Sequence, residues 1–196
     1  MAYLTSDPAV SLDGFMAGPD QDLEHPLGVG GEKLHRWHQG EGLEDNAAEA
    51  AAIVEAGAFV MGRNMFGPVR GEWDESWRGW WGDEPPYHAP VFVLTHHPRD
   101  PLEMLGGTTF HFVTDGIEEA LRLAVEAAGD GTVSICGGAS TISQYLAAGH
   151  IDELRLHVVP IVLGGGESPF RDLGGLGFKV ASSRSTELVT HLTLHR

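Results

Sequence analysis

Short apolar runs alternate with amphipathic stretches through the first three quarters of the chain. Runs of this length, rich in β-branched and aromatic residues and bounded by glycine, proline or polar residues, are typical of buried strands. Apolar positions at helical spacing that end at a glycine are typical of helices packed on such strands. The pattern predicts strands over 3–5, 10–12, 58–61, 91–95, 109–113 and 133–136, and helices over 44–56, 117–128 and 140–148.

The end of the chain has a different pattern, because only strands are predicted after the helix at 140–148. They cover 153–160, 179–182 and 187–195, and apolar and polar positions alternate in the last of them, as in a half-exposed strand. Strands that alternate with helices form crossover units and a parallel sheet. We therefore predict one α/β domain over 1–196, with a mostly parallel central sheet and antiparallel C-terminal strands.

Charge narrows the possible function classes. The 196 residues carry a formal net charge of −16, which disfavours binding to nucleic acid or to anionic membranes, because both need clustered Lys and Arg. A single cysteine excludes an intrachain disulfide and favours a reducing compartment. No apolar run reaches the length of a membrane span, and no secretory signal is visible. We expect a cytoplasmic protein that recognises a small molecule.

A turn through two glycines is the most informative local motif. The strand at 133–136 ends at Gly137 and Gly138, and Ala139 and Ser140 open the helix that follows. The first N–H groups of a helix have no partner within it, and the helix dipole adds partial positive charge there. Glycines let an anion approach the backbone closely. The turn therefore suits a phosphate, although a plain corner between strand and helix has the same pattern.

Two further strand ends carry groups that suit phosphates. One strand ends at Gly62 and is followed by Arg63, and another ends at Thr95 and is followed by His96 and Arg99. Ligands of α/β sheets lie beyond the carboxyl ends of the strands. Together with the glycine turn, these ends predict a site for a molecule with several phosphates, for which a phosphorylated dinucleotide is the natural candidate.

These segments together resemble the dihydrofolate reductase-like superfamily, and most of all the family of C-terminal reductase domains of bifunctional riboflavin-biosynthesis proteins. The matching motifs occur in the family's order and cover nearly the whole chain. They are Ser-Leu-Asp-Gly-Phe at 11–15, Val-Met-Gly-Arg at 60–63, Val-Phe-Val-Leu-Thr at 91–95, Cys-Gly-Gly-Ala-Ser at 136–140, Asp-Glu-Leu-Arg-Leu at 152–156 and Pro-Ile-Val-Leu-Gly-Gly-Gly at 160–166.

The resemblance implies a three-layer α/β sandwich, NADPH as cofactor, and hydride transfer to a heterocycle or to a sugar-derived carbonyl or imine. It also implies which residues receive the cofactor. They are Gly62 and Arg63 at one phosphate turn, Thr95, His96 and Arg99 at the 2′-phosphate of the adenosine, and Gly137, Gly138, Ala139 and Ser140 at the pyrophosphate.

The substrate side is less well defined by the motifs. Asp13 matches the acidic residue of the Ser-Leu-Asp-Gly motif and could protonate a substrate imine directly or through water; an Asp-Gly turn between two strands is its alternative role. The Ser-Gly-Glu and Asp-Asn-Pro elements of the riboflavin reductases are absent, and Asn64-Met65 follows where the family often has Thr. The substrate therefore stays open between 5-amino-6-(5-phosphoribosylamino)uracil, a pterin and another small heterocyclic or sugar-derived molecule.

Tryptophans are concentrated in the stretch 67–90, which is rich in Gly and Pro and is predicted to be a long loop. Loops of this length within a domain are usually functional or disordered. We assign Trp73 and Trp77, together with Trp37, to the wall of the substrate pocket. Contact between subunits and anchoring of the loop are the alternatives.

Histidines raise the question of a metal site, and His35 and His38 are the best-spaced pair among the eleven. No acidic residue stands at a metal-binding spacing from them and no His-Glu-x-x-His motif occurs, so we expect no metal. The sequence favours a cytoplasmic, homodimeric NADPH-dependent reductase of a small molecule. A nucleotide-binding protein without turnover and a metal-dependent hydrolase are the competing classes.

Overall fold

The computed structural model describes residues 2–67 and 71–196, apart from the side chain of Glu41. Its strands are Leu4–Ser6 (β1), Ala9–Ser11 (β2), Ala58–Gly62 (β3), Pro90–Leu94 (β4), Leu102–Glu103 (β5), Thr109–Val113 (β6), Val133–Gly137 (β7), Glu153–Val159 (β8), Lys179–Ser185 (β9) and Thr190–His195 (β10). The α-helices are Ala47–Ala52 (α1), Arg63–Phe66 (α2), Ile117–Ala128 (α3) and Ala139–Ala148 (α4). Turns of 3₁₀ helix cover Gly31–His38, Gly40–Gly42 and Leu105–Gly107.

These strands form one sheet in the order β5-β6-β4-β3-β7-β1-β8-β10-β9, and β2 pairs with β8 beside β1. The central pairs, from β6 across to β8, are parallel. β10 is antiparallel to both β8 and β9, and the short β5 is antiparallel to β6. The predicted sheet, mostly parallel with antiparallel C-terminal strands, is confirmed.

Both faces of the central strands are covered, which explains their continuous apolar runs. Ala58 and Val60 of β3 pack on the face that carries α3 and α4, while Phe59 and Met61 pack on the opposite face. There they meet Phe66 and side chains of the segment 73–87. A third cluster, around Leu34 and Trp37, fills the space beside β2.

One helix is shorter than the sequence prediction, and the Trp-rich loop agrees with it. α1 covers Ala47–Ala52 rather than 44–56, because the buried Asn46 donates hydrogen bonds from Nδ2 to the carbonyls of Trp37 and Gly42 and so ties the preceding chain into the 3₁₀ turns. The segment 71–89 has no strand or helix, as predicted for the Trp-rich loop; residues 68–70 of that prediction lie outside the described residues. No helix in the described part of the chain is long and apolar enough to cross a membrane.

Candidate functional site

A cavity of about 1040 Å³ lies beyond the carboxyl ends of β1, β3, β4 and β7. Its volume is at the upper end of the range for ligand pockets, so it can hold a large ligand together with a second molecule. Two groups of residues line it. The phosphate side consists of Gly62, Arg63, Thr95, His96, Gly138, Ala139 and Ser140, and the aromatic side of Asp7, Met16, His35, Trp37, His38 and Cys136.

The turn from β7 into α4 forms the centre of the phosphate side. Gly137 has φ +142°, a conformation that favours glycine, and a Cβ added to Gly138 would meet no atom within 4 Å. No side chain caps the ten-residue α4. The first N–H groups of this helix therefore stay available beside open space, the arrangement expected of an anion cradle.

The end of β3 packs closely against the same helix. A Cβ on Gly62 would lie 2.5 Å from Oγ1 of Thr141, so only glycine allows this approach. Because of that contact, the two predicted phosphate turns, at Gly62 and at Gly138, lie side by side on the cavity wall.

Arg63 adds a cation to the phosphate side. Its guanidinium carbon lies 3.9 Å from the ring centroid of Trp73, and Nη2 donates a hydrogen bond to the carbonyl of Glu72 (3.2 Å). Its Nε is buried and has no hydrogen-bond partner among the residues described. Because Arg63 lines the cavity, its stacked guanidinium places positive charge beside an anion there.

Arg99 has a different environment from the other residues predicted at the adenosine 2′-phosphate. Thr95 and His96 line the cavity, but Arg99 does not. Its Nη2 donates hydrogen bonds to the carbonyls of Glu75 (3.0 Å) and Trp77 (2.9 Å), and its Nε lies 3.3 Å from the Glu75 carboxylate. A cofactor contact from Arg99 stays a prediction, while its contacts here hold the Trp-rich loop.

Asp13 is held by hydrogen bonds outside the cavity. Its carboxylate accepts hydrogen bonds from the Ser11 hydroxyl (2.6 Å) and from the backbone N–H groups of Leu163 (3.1 Å) and Gly164 (2.7 Å). The Ser11 hydrogen bond, followed by those two, lowers the pKa of Asp13 to about 2. Its predicted role as a proton donor stays a prediction, and these contacts describe the alternative, a turn tied to the loop after β8.

The three tryptophans assigned to the pocket divide between two roles. Trp37 is buried and lines the cavity, with its ring centroid 4.5 Å from that of His157. Trp73 and Trp77 instead donate indole hydrogen bonds to the carbonyls of His97 (2.7 Å) and Phe66 (2.9 Å), and neither lines the cavity. They anchor the loop, and it is Trp80 and Trp81 of the same loop that reach the cavity.

The sequence prediction missed a buried carboxylate on the aromatic side. Asp7 follows β1 directly, and its side chain is only 4 % exposed. A charged residue between the two short apolar strands 4–6 and 9–11 was the only signal in the sequence. His35 and His38 contact each other (Nδ1 to Nε2, 3.0 Å), and within the described ranges no group of three His, Cys, Asp or Glu side chains could hold a metal ion.

Comparison with known proteins places these features in context. The family profile of the RibD C-terminal domain matches residues 2–193. A candidate riboflavin biosynthesis protein from Shewanella sp. PV-4 is similar in structure, with a TM-score of 0.67, 25 % sequence identity and coverage of 100 % of this chain and 99 % of that one. None of the curated proteins matches the sequence.

Two more distant structures share the fold. One is the diaminohydroxyphosphoribosylaminopyrimidine deaminase/5-amino-6-(5-phosphoribosylamino)uracil reductase of Thermotoga maritima, with a TM-score of 0.60 and 17 % identity. The match covers 99 % of this chain and 56 % of that one. The other is a dihydrofolate reductase from Enterococcus faecalis, complexed with NADP(H) and RAB-propyl (TM-score 0.63, 18 % identity, 99 % of this chain and 96 % of that one).

Proposed function

The chain belongs to the family of RibD C-terminal domains, and from this membership we propose that it is an NADPH-dependent reductase of a small heterocyclic or sugar-derived molecule. The resemblance drawn from the ordered motifs is confirmed, as is the dihydrofolate reductase-like sandwich. The observation that carries the proposal is the pair of adjoining glycine turns at Gly62 and Gly138, beside an uncapped helix and a cavity of about 1040 Å³.

The phosphate side has donors that fit a dinucleotide phosphate. The open space at Gly138 and the N-terminus of α4 would hold the pyrophosphate. The guanidinium of Arg63 would bind a further phosphate, and Thr95 and His96 border the same space. When bound, NADPH supplies the hydride, and the task of the protein is to place and orient both molecules.

The aromatic side fits a planar acceptor. Trp37, Met16 and Cys136 offer apolar surface there, and His35 and His38 are the nearby polar groups. Burial lowers the pKa of both histidines, that of His35 to about 4 with a contribution from His38, so both are neutral at pH 7. A heterocycle or a sugar-derived imine without strong charge at its reacting end suits this wall.

A cofactor titration tests the proposal. Purified protein is titrated with NADPH and, separately, with NADH while tryptophan fluorescence is followed, since Trp37, Trp80 and Trp81 line the cavity. Saturable quenching with tighter binding of NADPH is the expected result. NADPH oxidation is then measured with 5-amino-6-(5-phosphoribosylamino)uracil, with dihydrofolate and with a series of small carbonyl compounds. Absence of binding at millimolar NADPH overturns the proposal, and binding without turnover of any probe favours a nucleotide-binding protein.

A further inference from the structure

Asp7 stands at a break in the sheet. β1 pairs with β7 and β8, but β2 pairs with β8 alone, and Pro8, which separates them, has no N–H to donate to a neighbouring strand. The interruption leaves Asp7 just past the carboxyl end of β1, where parallel sheets collect their ligands.

This side chain borders two cavities. One is the large cavity described above, and the other is a small one of about 90 Å³ between α1, β8, β9 and β10. The small cavity has a polar wall that includes His157, Ser182, Arg184 and His191. At its rim, the Arg184 side chain is 47 % exposed. A water molecule occupies about 30 Å³, so the small cavity has room for water beside Asp7.

The Asp7 carboxyl group pairs with Arg155 through one oxygen. Nε of Arg155 lies 2.8 Å from Oδ1 and Nε2 of His157 lies 3.9 Å away, while Oδ2 has no hydrogen-bond partner among the residues described. The other titratable groups around it are Glu153 on β8, Cys136 on β7 and His191 on β10.

Desolvation decides the protonation of this group. Burial raises the pKa of Asp7 to about 7. The effect of burial outweighs the lowering by the charge of Arg155 and by its hydrogen bond, and the charge of Glu153 adds to the rise. Two buried groups nearby do not exchange a proton near neutral pH. Burial lowers the pKa of His157 to about 3 and raises that of Cys136 to about 12.

We propose that Asp7 is the proton donor of the reduction and that the small cavity returns a proton to it from solvent. The inference rests on the proposed reductase function. As the substrate carbon accepts hydride, the π bond of its C=N or C=O group breaks and the electron pair moves to the nitrogen or oxygen. That atom takes the proton of Asp7, and the resulting carboxylate is reprotonated by water in the small cavity. Each turnover consumes one NADPH and one proton.

A route through the small cavity has a physical advantage. Cofactor and substrate would fill the large cavity, whereas the small cavity has the exposed residues Ser182 and Arg184 on its wall. Asp13 is less suited to donate a proton, because three hydrogen bonds stabilise its ionised form.

Direct titration of the carboxyl group is the first test. Protein labelled with ¹³C at the aspartate carboxyl carbons is titrated from about pH 4 to about pH 9 by NMR, and the Asp7 signal is assigned as the one lost in Asp7→Asn. A midpoint near neutral pH is expected, with the same midpoint in the matched control Asp13→Asn. An Asp7 carboxyl that is fully ionised at pH 5 overturns the proposal whether or not the protein turns over a substrate.

Kinetics with a substrate that the wild type reduces give the second test. Asp7→Asn lowers kcat by about 10²–10⁴-fold, the usual contribution of a general acid, and leaves NADPH affinity unchanged. Wild-type kcat falls as pH rises through the midpoint seen by NMR, and Asp13→Asn keeps this profile. An unchanged kcat in Asp7→Asn overturns the role of Asp7. Failure of the wild type to bind NADPH overturns the reductase function instead. The NMR titration still decides in that case whether the Asp7 carboxyl group titrates near neutral pH.

Discussion

Two aspartates six positions apart acquire opposite properties at the residue scale. Asp7 loses its hydration, and this raises its pKa to about 7 although Nε of Arg155 lies 2.8 Å from Oδ1. Asp13 gains three hydrogen bonds at the surface, so its pKa falls to about 2. Only their surroundings distinguish the two carboxyl groups, because burial raises the pKa of Asp7 and hydrogen bonds lower that of Asp13.

Asp7 makes stability depend on pH. In the unfolded chain it ionises near its ordinary pKa of about 3.9, whereas in the folded protein it ionises near 7. Between these values folding takes up a proton, so the Asp7 contribution to the free energy of unfolding falls as pH rises from about 4 to about 7 and then levels off. We expect a decline on the order of a few kcal/mol in urea unfolding of the wild type, and a smaller one in Asp7→Asn. Parallel profiles of the two proteins would contradict the raised pKa.

Arg63 is the cation best placed for a cofactor phosphate. Arg63→Ala removes a charged donor whose Nε has no partner here, and we expect NADPH affinity to fall by about 1.5–3 kcal/mol, the scale of a hydrogen bond to a charged group. Fluorescence titration measures this change. Arg122→Ala is the control, because Arg122 is exposed on α3 and pairs with Glu119 and Glu126. Equal affinities of Arg63→Ala and wild type would exclude the phosphate contact.

At the scale of elements, the contact between the end of β3 and α4 shapes the cradle. A Cβ at Gly62 meets Oγ1 of Thr141 at 2.5 Å, so Gly62→Ala should destabilise the protein by about 1–3 kcal/mol through overpacking and weaken NADPH binding. Gly62→Ala combined with Thr141→Ala removes the clashing hydroxyl and should recover most of both losses. Urea unfolding and NADPH titration of both variants check this. A double variant with the same stability and NADPH affinity as Gly62→Ala would show that the contact with Thr141 is not the cause of the losses.

The Trp-rich loop is fastened by a different arginine. Arg99 donates to the carbonyls of Glu75 and Trp77, so Arg99→Ala should speed amide hydrogen exchange over 72–77 and leave the preference for NADPH over NADH largely intact. If that preference collapses, Arg99 also binds the 2′-phosphate, as the family resemblance implies. Arg78→Ala is the matched control, since Arg78 bonds the carbonyl of Glu103 away from these contacts.

Much of the element pattern was predictable because burial on both faces leaves continuous apolar runs. β6 was predicted with its observed bounds, and β3, β4 and β7 to within a residue at either end. α1 was overpredicted, because an alanine run has high helix propensity but the Asn46 side chain bonds the carbonyls of Trp37 and Gly42 and fixes the chain before the run. The same side chain also contacts His191 of β10 through Oδ1, and helix propensity does not include a contact between segments so far apart in the sequence.

At the scale of the whole molecule, the order of the strands decides which residues meet. β1 lies between β7 and β8 in the sheet, which brings Asp7 beside Cys136 and Arg155 although well over a hundred positions separate them in sequence. The same order puts the ends of β3 and β7 together and creates the phosphate side. The homodimer expected from the sequence stays a prediction, which sedimentation equilibrium can test.

The sequence by itself determined the fold class, the family and the position of the glycine turns, because these depend on local patterns of apolar residues, glycines and strand ends. The surroundings of Asp7, Asp13, Arg99, Trp73 and Trp77 were decided only by the tertiary structure. These surroundings depend on which groups desolvate or hydrogen-bond a side chain, and those groups come from strands and loops that only the folded chain brings together.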